Sequence, residues 1–316
     1  MLVHQVERRT YGEGRAAVVL TLGTRTGRIS GAPLWGERQA WAQELARGTI
    51  VRAVGRIGEY RGTRQLELSA LSVAPAGSVP LRAVVPATGT TAADWTLLDQ
   101  VRCALRAARI RRVLALFYDD PTFRAAYEDC PASTVGHHAQ LGGLLRHTVE
   151  VASIGRAAAL SSGADPELVF AGALLHDIGK LEAYQWRSGL FELTEPGALL
   201  GHVTLGMLML GRQLAAQAVP PCSGREVVIL QHLIASHHGA LEFGAPVRPM
   251  TLEAEVLHHA DHASARTTSM ADALAASEHF TSGDLLSSRS LWQVDHRRVY
   301  RGTSDWGREG TPTTGS

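Results

Sequence analysis

The sequence has almost no lysine, few cysteines and no long apolar run. Of its 31 basic residues, 30 are arginine, and Lys180 is the single lysine. Its three cysteines are widely spaced, which excludes a CxxC metal site and argues against a disulfide framework. No uninterrupted apolar stretch approaches the roughly 18 residues of a membrane-spanning helix. We therefore expect no membrane association.

The start of the chain and its composition point to an intracellular globular protein. The stretch MLVHQVERRTYG lacks the apolar run and cleavage site of a secretory signal, so we expect a cytoplasmic protein. With 316 residues, of which 45% are hydrophobic and 19% charged, the chain is long enough for two domains with cores of their own. The scarcity of lysine reflects a general preference for arginine, which draws attention to the one lysine in GALLHDIGK.

The N-terminal region is basic and rich in strand signals. Residues 1–75 carry 11 Arg and 6 Glu, a net charge of +5, whereas residues 76–316 carry 20 basic and 24 acidic residues, a net charge of −4. Runs such as RAAVVLTLGTRTGRIS, GTIVRAVGRIGEYRG and TRQLELSALSV are bounded by glycine-containing turns, as strands are. Between them, GERQAWAQELARG predicts a helix that ends at Gly48. We expect a small β-barrel over residues 1–78.

The two ends of the predicted barrel differ in character. The stretch before VVLTLGTRTG is short for a first strand, which allows for an incomplete barrel. Residues 79–94 concentrate Pro, Gly, Thr and Ala without a sustained period and are predicted to be a linker.

The remainder of the chain is predicted to be helical. From Trp95 onward Leu98, Val101 and Leu105 recur at helical spacing. Helices are expected over residues 141–160, 166–183, 199–218, 224–238 and 251–276, with no strands among them. We expect an all-α domain over residues 95–302 and a flexible tail over residues 303–316, which is polar and rich in Gly and Thr.

Histidines are concentrated in the helical region, where 11 of the 14 lie between His137 and His262. His176 and Asp177 are adjacent in an apolar segment, where burial would be costly unless they were paired or bound to metal. Imidazole and carboxylate suit Mn, Fe, Zn or Mg. Further candidate ligands, each in an apolar segment or beside one, are His147, His202, His237, His238 and Asp261. Any one of these histidines could be an ordinary buried or surface residue, but the whole set favours ligands that converge in a helical bundle.

These residues and their neighbours resemble a known family. The order H, HD, H, HH, D is similar to that of the HD superfamily of metal-dependent phosphohydrolases. More specifically, HHAQLGGLLRHT, GALLHDIGK, GALLGHVTLG and SHHGALEFGAPVRPMTLEAEVLHHADHASA resemble the YhaM-type 3'-to-5' exoribonucleases, which join an OB-fold to an HD domain. The resemblance extends from about Val18 to Gly302. It implies an OB-fold barrel followed by an all-α HD-domain bundle.

The resemblance also implies a two-metal site, most readily with Mn²⁺, and with Mg²⁺, Fe²⁺ or Zn²⁺ as alternatives. The first metal would be bound by His147, His176, Asp177 and Asp261, and the second by His202, His237 and His238 with Asp177 bridging. It leaves open whether His237 and His238 both bind metal or one contacts substrate. Lys180 would lie on the side of His176 and Asp177 and hold a phosphate oxygen, although Gly179 could bend the helix between them. We do not expect ligands at His137, His138, His258, His259 or His262.

The implied substrate is single-stranded RNA, with single-stranded DNA as an extension, and the chain could be a homo-oligomer. An OB barrel binds single strands with a basic groove and with aromatic side chains that stack on bases. Trp35 and Tyr60 could instead be packing residues. The candidate nucleic-acid contacts are Arg25, Arg28, Trp35, Tyr60, Arg61 and Arg64.

Three functions are therefore compared. The first is a metal-dependent exoribonuclease that releases nucleoside 5'-monophosphates from the 3' end. The second is an HD phosphohydrolase acting on nucleotides or cyclic dinucleotides, which is disfavoured because GALEFGAP stands where the Gly-Tyr-Pro loop of the cyclic-dinucleotide enzymes would follow His238. The third is a nucleic-acid-binding protein with a vestigial HD domain, which the intact set of candidate ligands disfavours.

Overall fold

The N-terminal region is built from antiparallel strands in the computed structural model, which describes residues 1–89, 91–134, 138–187 and 189–302. A three-stranded meander is followed by a two-stranded hairpin. The meander contains β1 (Leu2–Thr10), β2 (Ala16–Thr24) and β3 (Gly27–Ser30), and the hairpin contains β4 (Val51–Tyr60) and β5 (Thr63–Val73).

Backbone hydrogen bonds join the meander to the hairpin at both edges. On one side the amino group of Met1 donates to the carbonyl of Val51 at 2.7 Å, and the Val51 amide donates back at 2.8 Å. On the other side the amide of Ala32, just after β3, donates to the carbonyl of Leu66 in β5 at 2.8 Å. The strands therefore follow one another in the order β1-β2-β3-β5-β4 and back to β1, around a buried apolar core.

Two details of this region differ from the sequence-based expectations. The first strand, taken to be short, is nine residues long and pairs with β2 along its length, with a bulge between Val3 and Gln5. The helix expected over GERQAWAQELARG is only a 3-10 segment, Gly36–Ala42. Only Ala42 and Leu45 of this stretch are buried against the barrel core. That is too little apolar contact to stabilise a short α-helix.

The rest of the chain is mostly helical and encloses the largest apolar core. Helix α5 is the most buried, with every residue from Val169 to Leu175 inaccessible to solvent. No helix in the described ranges combines the length and apolar character needed to cross a bilayer. The helices are α1 (Thr91–Ala104), α2 (Ala108–Tyr118), α3 (Pro121–Asp129), α4 (Gly143–Ser162), α5 (Pro166–Leu175), α6 (Lys180–Ala183), α7 (Glu195–Ala215, interrupted at Gly201), α8 (Gly224–Ser236) and α9 (Leu252–Ala275).

The expectation that this region contains no strands is wrong. Strands β6 (Tyr184–Arg187) and β7 (Leu190–Leu193) form an antiparallel hairpin between α6 and α7. The rings of Trp186 and Phe191 pack edge to face across it, with centroids 4.9 Å apart. Each strand has only four residues, so the alternation of aromatic and polar side chains is too short to stand out against the helical pattern around it.

The hairpin and the segment before α1 contact the barrel. Gly189 has a φ of +80°, and a Cβ there would lie 2.7 Å from the Cα of Gly48 in the barrel. Val84 and Val85, from the segment predicted as a linker, are buried in a cluster with Leu2. Helix α1 begins at Thr91, inside the predicted linker 79–94. The tail predicted for residues 303–316 lies outside the described residues.

Candidate active site

His176 and Asp177 follow directly on helix α5, in a tight turn that leads into α6. Both side chains are fully buried. The turn is held against α7 at Gly179, where a Cβ would lie 2.0 Å from the carbonyl oxygen of His202 and 2.3 Å from the amide nitrogen of Gly206. A glycine is needed at this contact because the α7 backbone occupies the space of a side chain. The contact brings His202 next to Asp177.

The other candidate ligands project from separate helices toward the same point. His147 lies on α4, His202 on α7 and Asp261 on α9, and His237 and His238 immediately follow α8. The atoms form two groups of possible ligands, each within 4.8 Å. One group is His147, His176 and Asp261, and the other is His202, His237 and His238. The structure thus brings together all seven residues that the sequence indicated.

The carboxylate of Asp177 lies between the two groups. Its Oδ2 is 3.1 Å from His176 Nε2 and 3.6 Å from His147 Nε2. Its Oδ1 faces the other way and is 3.3 Å from His202 Nε2 and 3.8 Å from His237 Nε2. Asp261 Oδ1 lies 3.0 Å from His147 Nε2. One oxygen of Asp177 is therefore directed at each group, as expected of a bridging carboxylate.

Several of these buried polar atoms have no hydrogen-bond partner among the described residues. They are Asp177 Oδ1, His202 Nε2 and His237 Nε2. An unsatisfied buried acceptor or donor costs about 1–3 kcal/mol. Three such atoms around one point fit divalent metal ions, which would satisfy all of them. The donor set of imidazole nitrogen and carboxylate oxygen is appropriate for such ions.

In His176, His237 and His238 the Nδ1 atom donates to a backbone carbonyl, which leaves Nε2 for the centre. Nδ1 of His176 donates to the Ala173 carbonyl at 2.8 Å, and Nδ1 of His237 donates to that of Ile234 at 2.7 Å. His238 Nδ1 similarly donates to the Phe243 carbonyl at 2.8 Å. A donating Nδ1–H leaves the lone pair on Nε2.

His147 is oriented by a longer chain of hydrogen bonds. Its Nδ1 lies 2.9 Å from the hydroxyl of Ser264, which donates to Glu150 Oε2 at 2.8 Å. Burial would raise the pKa of Glu150, but hydrogen bonds from His138, Ser264 and Arg146 outweigh it and lower the pKa to about 2. Glu150 is therefore ionised and can accept the Ser264 hydrogen. Ser264 and Glu150 were not found from the sequence, because neither residue type is distinctive there.

The protonation states of His202, His237 and Asp177 suit metal binding. Burial lowers the pKa of His202 to about 3 and holds that of His237 well below its ordinary value. Burial would raise the pKa of Asp177, but His176 and Lys180 keep it well below the usual range. At neutral pH His202 and His237 are neutral imidazoles and Asp177 is an ionised carboxylate, the forms that bind metal. Burial would lower the pKa of His176, but the charge of Asp177 outweighs it and raises that pKa above its ordinary value.

Lys180 lies in the first turn of α6, with its Nζ 2.5 Å from Asp177 Oδ2. Its side chain is 9% exposed. Burial alone would lower the pKa of Lys180, but the charge of Asp177 raises it above the ordinary value. The ammonium therefore stays charged beside the candidate ligands. The turn at Gly179 does not carry it away from Asp177.

A cavity of about 380 Å³ opens onto this centre. Helix α9 lines it with residues at helical spacing, namely His258, Asp261, His262, Ala265 and Arg266. Tyr184 and Phe243 add aromatic rings to its walls. Tyr184, Phe243 and Arg266 carry no distinguishing pattern in the sequence, because they come from separate elements. His259 lies near Glu255 on an exposed part of α9, and His137 falls outside the described residues.

The barrel carries a second groove, of about 570 Å³. Four of the six predicted nucleic-acid contacts line it, namely Trp35, Tyr60, Arg61 and Arg64. Tyr60 is 60% exposed, and the Arg61 guanidinium lies 5.3 Å from its ring centroid. Trp35 is 41% exposed and packs beside Tyr11, another groove residue, at 4.9 Å. Arg25, in the turn between β2 and β3, and Arg28, in β3, do not line this groove.

Comparison with known proteins adds independent information. Residues 144–266, which include all seven candidate ligands, match the family model described as HD domain. The chain is 31% identical over 309 residues to the 3'-5' exoribonuclease YhaM of Shouchella clausii, covering 95% of this chain and 92% of that protein. It is 30% identical over 306 residues to the protein of the same name from Bacillus subtilis, covering 96% and 94%. No solved structure shows a significant match to the chain.

Proposed function

This chain belongs to the YhaM family of 3'-5' exoribonucleases, and we propose that it is a metal-dependent hydrolase that shortens single-stranded RNA from the 3' end. The observation that carries the proposal is Asp177, a buried carboxylate with one oxygen directed at each of two groups of histidine and aspartate ligands. This arrangement lies at the base of a cavity open to substrate.

The proposed reaction is hydrolysis of the terminal phosphodiester. Water adds to phosphorus, the bond from phosphorus to the 3' oxygen of the preceding nucleotide breaks, and a nucleoside 5'-monophosphate leaves. The shortened RNA keeps a free 3' hydroxyl, so the same step can be repeated.

We assign His147, His176, Asp177 and Asp261 to one divalent metal, and His202, His237 and His238 with Asp177 to a second. Such ions, most readily Mn²⁺, would supply positive charge at the phosphate and lower the pKa of bound water. The residues of the chain hold this site in place, because the Nδ1 hydrogen bonds fix the rings and burial keeps His202 and His237 neutral. Lys180 is proposed to hold a phosphate oxygen, which its charge and its burial beside Asp177 support.

The barrel is proposed to be an OB-fold that binds the RNA chain. The strand order β1-β2-β3-β5-β4, closed by the bonds of Met1 with Val51, supports this assignment. Exposed rings beside arginines in the groove suit stacked bases and backbone phosphates. Because neither contact needs a 2'-hydroxyl, single-stranded DNA is included as a substrate. We place the barrel domain at residues 1–78, the helical domain at residues 91–302, since α1 begins at Thr91, and the reaction in the cytoplasm.

The test is an assay with end-labelled single-stranded RNA and DNA, incubated with Mn²⁺, with Mg²⁺ or with chelator. A ladder that shortens from the 3' end only when metal is present is the expected result. Hydrolysis of free nucleotides with intact polymers would contradict the proposal and favour a nucleotide phosphohydrolase.

Substituting Tyr60 should weaken the binding of long RNA. We expect Tyr60→Ala to lower RNA affinity by about 5- to 100-fold, because each stacked base contributes about 1–3 kcal/mol. Fluorescence anisotropy with a labelled 20-nucleotide RNA in chelator measures it. Tyr300→Ala is the matched control, since Tyr300 is 64% exposed but does not line the groove. Equal affinities for the two variants would remove Tyr60 from the RNA interface.

Substituting Ser264 should weaken metal binding without direct loss of a ligand. We expect Ser264→Ala to lower Mn²⁺ affinity by about 10- to 100-fold, because partners of metal-binding histidines usually have effects of this size. Calorimetric titration measures the affinity, and nitrogen NMR reports the His147 tautomer. Ser269→Ala is the control, because Ser269 also lies on α9 and its hydroxyl donates within the helix to the Ala265 carbonyl. An unchanged tautomer and affinity in Ser264→Ala would contradict this role.

A further inference from the structure

Phe243 is an exposed aromatic residue at the wall of the active-site cavity. It ends the short 3-10 helix Leu241–Phe243, and its side chain is 65% exposed. Within the described ranges its ring stacks on no other aromatic ring and lies over no arginine. Of the two aromatic residues lining the cavity, Tyr184 is half-buried, so Phe243 offers the more accessible face.

The backbone around Phe243 is held firmly. The Phe243 amide donates to the Ala240 carbonyl at 3.0 Å, and the Gly244 amide donates to that of Leu241 at 3.0 Å. Ala245, just beyond, is buried and anchors the far end of the loop. An exposed ring on an anchored backbone loses little conformational entropy when a ligand covers it.

Phe243 is also linked directly to the proposed metal site. Its carbonyl accepts the hydrogen bond from His238 Nδ1 at 2.8 Å. The backbone of Phe243 and the imidazole of His238 therefore have a fixed relation, which keeps the Phe243 ring beside the proposed metal site. Lys180 and Asp177 line the same cavity, so a nucleotide whose phosphate lies at Lys180 has its nucleoside within that cavity. A volume of about 380 Å³ falls in the usual range for small ligands, about 300–1,000 Å³.

The chemistry of the substrate requires a contact of this kind. An enzyme that removes successive nucleotides must accept every base in turn, so hydrogen bonds to base edges would stall it at unfavoured bases. Stacking tolerates all sequences because every base has a π-face. We propose that Phe243 is the platform on which the base of the 3'-terminal nucleotide stacks, which positions its phosphodiester at the metal site. This inference rests on the proposed exonuclease function.

The test compares two RNAs that differ only at the last position. One ends in an ordinary nucleotide, and the other carries an abasic nucleotide at its 3' end. With wild-type protein in Mn²⁺, single-turnover release of the terminal residue should be faster for the ordinary RNA by about 5- to 100-fold, the value of one stacked base. Phe243→Ala should lose this preference. It should remove the ordinary and the abasic 3'-terminal residue at the same rate, equal to the wild-type rate on abasic RNA. Phe243→Trp should keep it.

Leu241→Ala is the matched control, because Leu241 is 59% exposed on the same short helix but does not line the cavity. It should behave as wild type on both RNAs. An independent readout is 2-aminopurine at the 3' end, whose fluorescence should be quenched on binding to wild type but not to Phe243→Ala.

The outcomes separate the two levels of the proposal. Wild-type cleavage of ordinary RNA with an unchanged preference in Phe243→Ala would overturn the stacking role. Equal loss on ordinary and abasic RNA would also overturn it, since the contact would then not involve the base. Inactive wild-type protein on both RNAs would overturn the exonuclease function itself, and the inference with it.

Discussion

Replacing Asp177 with asparagine should abolish RNA hydrolysis while leaving RNA bound. Asparagine keeps the shape but loses the charge that would bridge two ions, and only one of its terminal atoms can accept a metal. We expect kcat to fall by more than about 10³-fold, since removing even a single oxyanion donor costs about 10²–10³. RNA affinity should stay within about threefold of wild type, because the proposed polymer contacts lie on the barrel. Labelled RNA serves both measurements, and elemental analysis gives metal content.

This experiment needs a stability control. Asp177 is the partner of buried Lys180, and leaving one charge of a buried pair unpaired costs about 3–5 kcal/mol. The double variant with Asp177→Asn and Lys180→Met removes the unpaired ammonium, so it should recover folding stability without recovering activity. Asp284→Asn makes the same substitution at an exposed position, so it should leave hydrolysis and stability unchanged. Near-normal cleavage by a folded Asp177→Asn protein would show that the metal assignment is wrong.

Lys180→Arg is expected to lower kcat by about 10-fold or more, with metal content unchanged. Lysine is a compact charge, whereas arginine is a longer planar group that prefers two-oxygen contacts. Lys180 Nζ lies 2.5 Å from Asp177 Oδ2 in a buried position, so the larger guanidinium has no room without displacing Asp177 or the phosphate. Steady-state kinetics on a short RNA, with metal analysis of the same sample, measure the effect.

The reciprocal substitution is the control. Arg212 pairs with Glu182 on the surface of the helical region, so Arg212→Lys should leave kcat unchanged. Full activity of Lys180→Arg at equal metal content would mean that the single lysine of the chain has no special role.

The candidate ligands could be predicted from sequence because few residue types bind divalent metals. Histidine or aspartate on an otherwise apolar helix, as at His176 and Asp177, is conspicuous since burial without a partner is costly. The spread of ligands over α4, α7 and α9 also followed from the pattern of separate helices. The bridging position of Asp177 between two groups, and the direction of each of its oxygens, required the structure.

Other features had no usable sequence signal. The β6-β7 hairpin is too short for a clear period, and the segment after Gly36 has a helical composition without the apolar contacts that would hold a helix. Ser264 gains its significance only through a hydrogen bond to a residue 117 positions away. Phe243 is one of several exposed apolar residues, and only the cavity distinguishes it. Long-range placement decides such roles, and local patterns do not encode it.

The contact between Gly48 and Gly189 sets the spacing between the proposed RNA groove and the proposed active site. Because the hairpin before α7 abuts the barrel there, the groove at Tyr60 and the cavity at Lys180 are held at a set spacing. On the proposed function, an RNA long enough to contact both the groove and the cavity gains avidity from the second contact, whereas a shorter remnant binds through one site alone. Degradation should therefore slow at a characteristic remnant length, leaving short oligonucleotides as a limit product whose size reports the distance from groove to cavity.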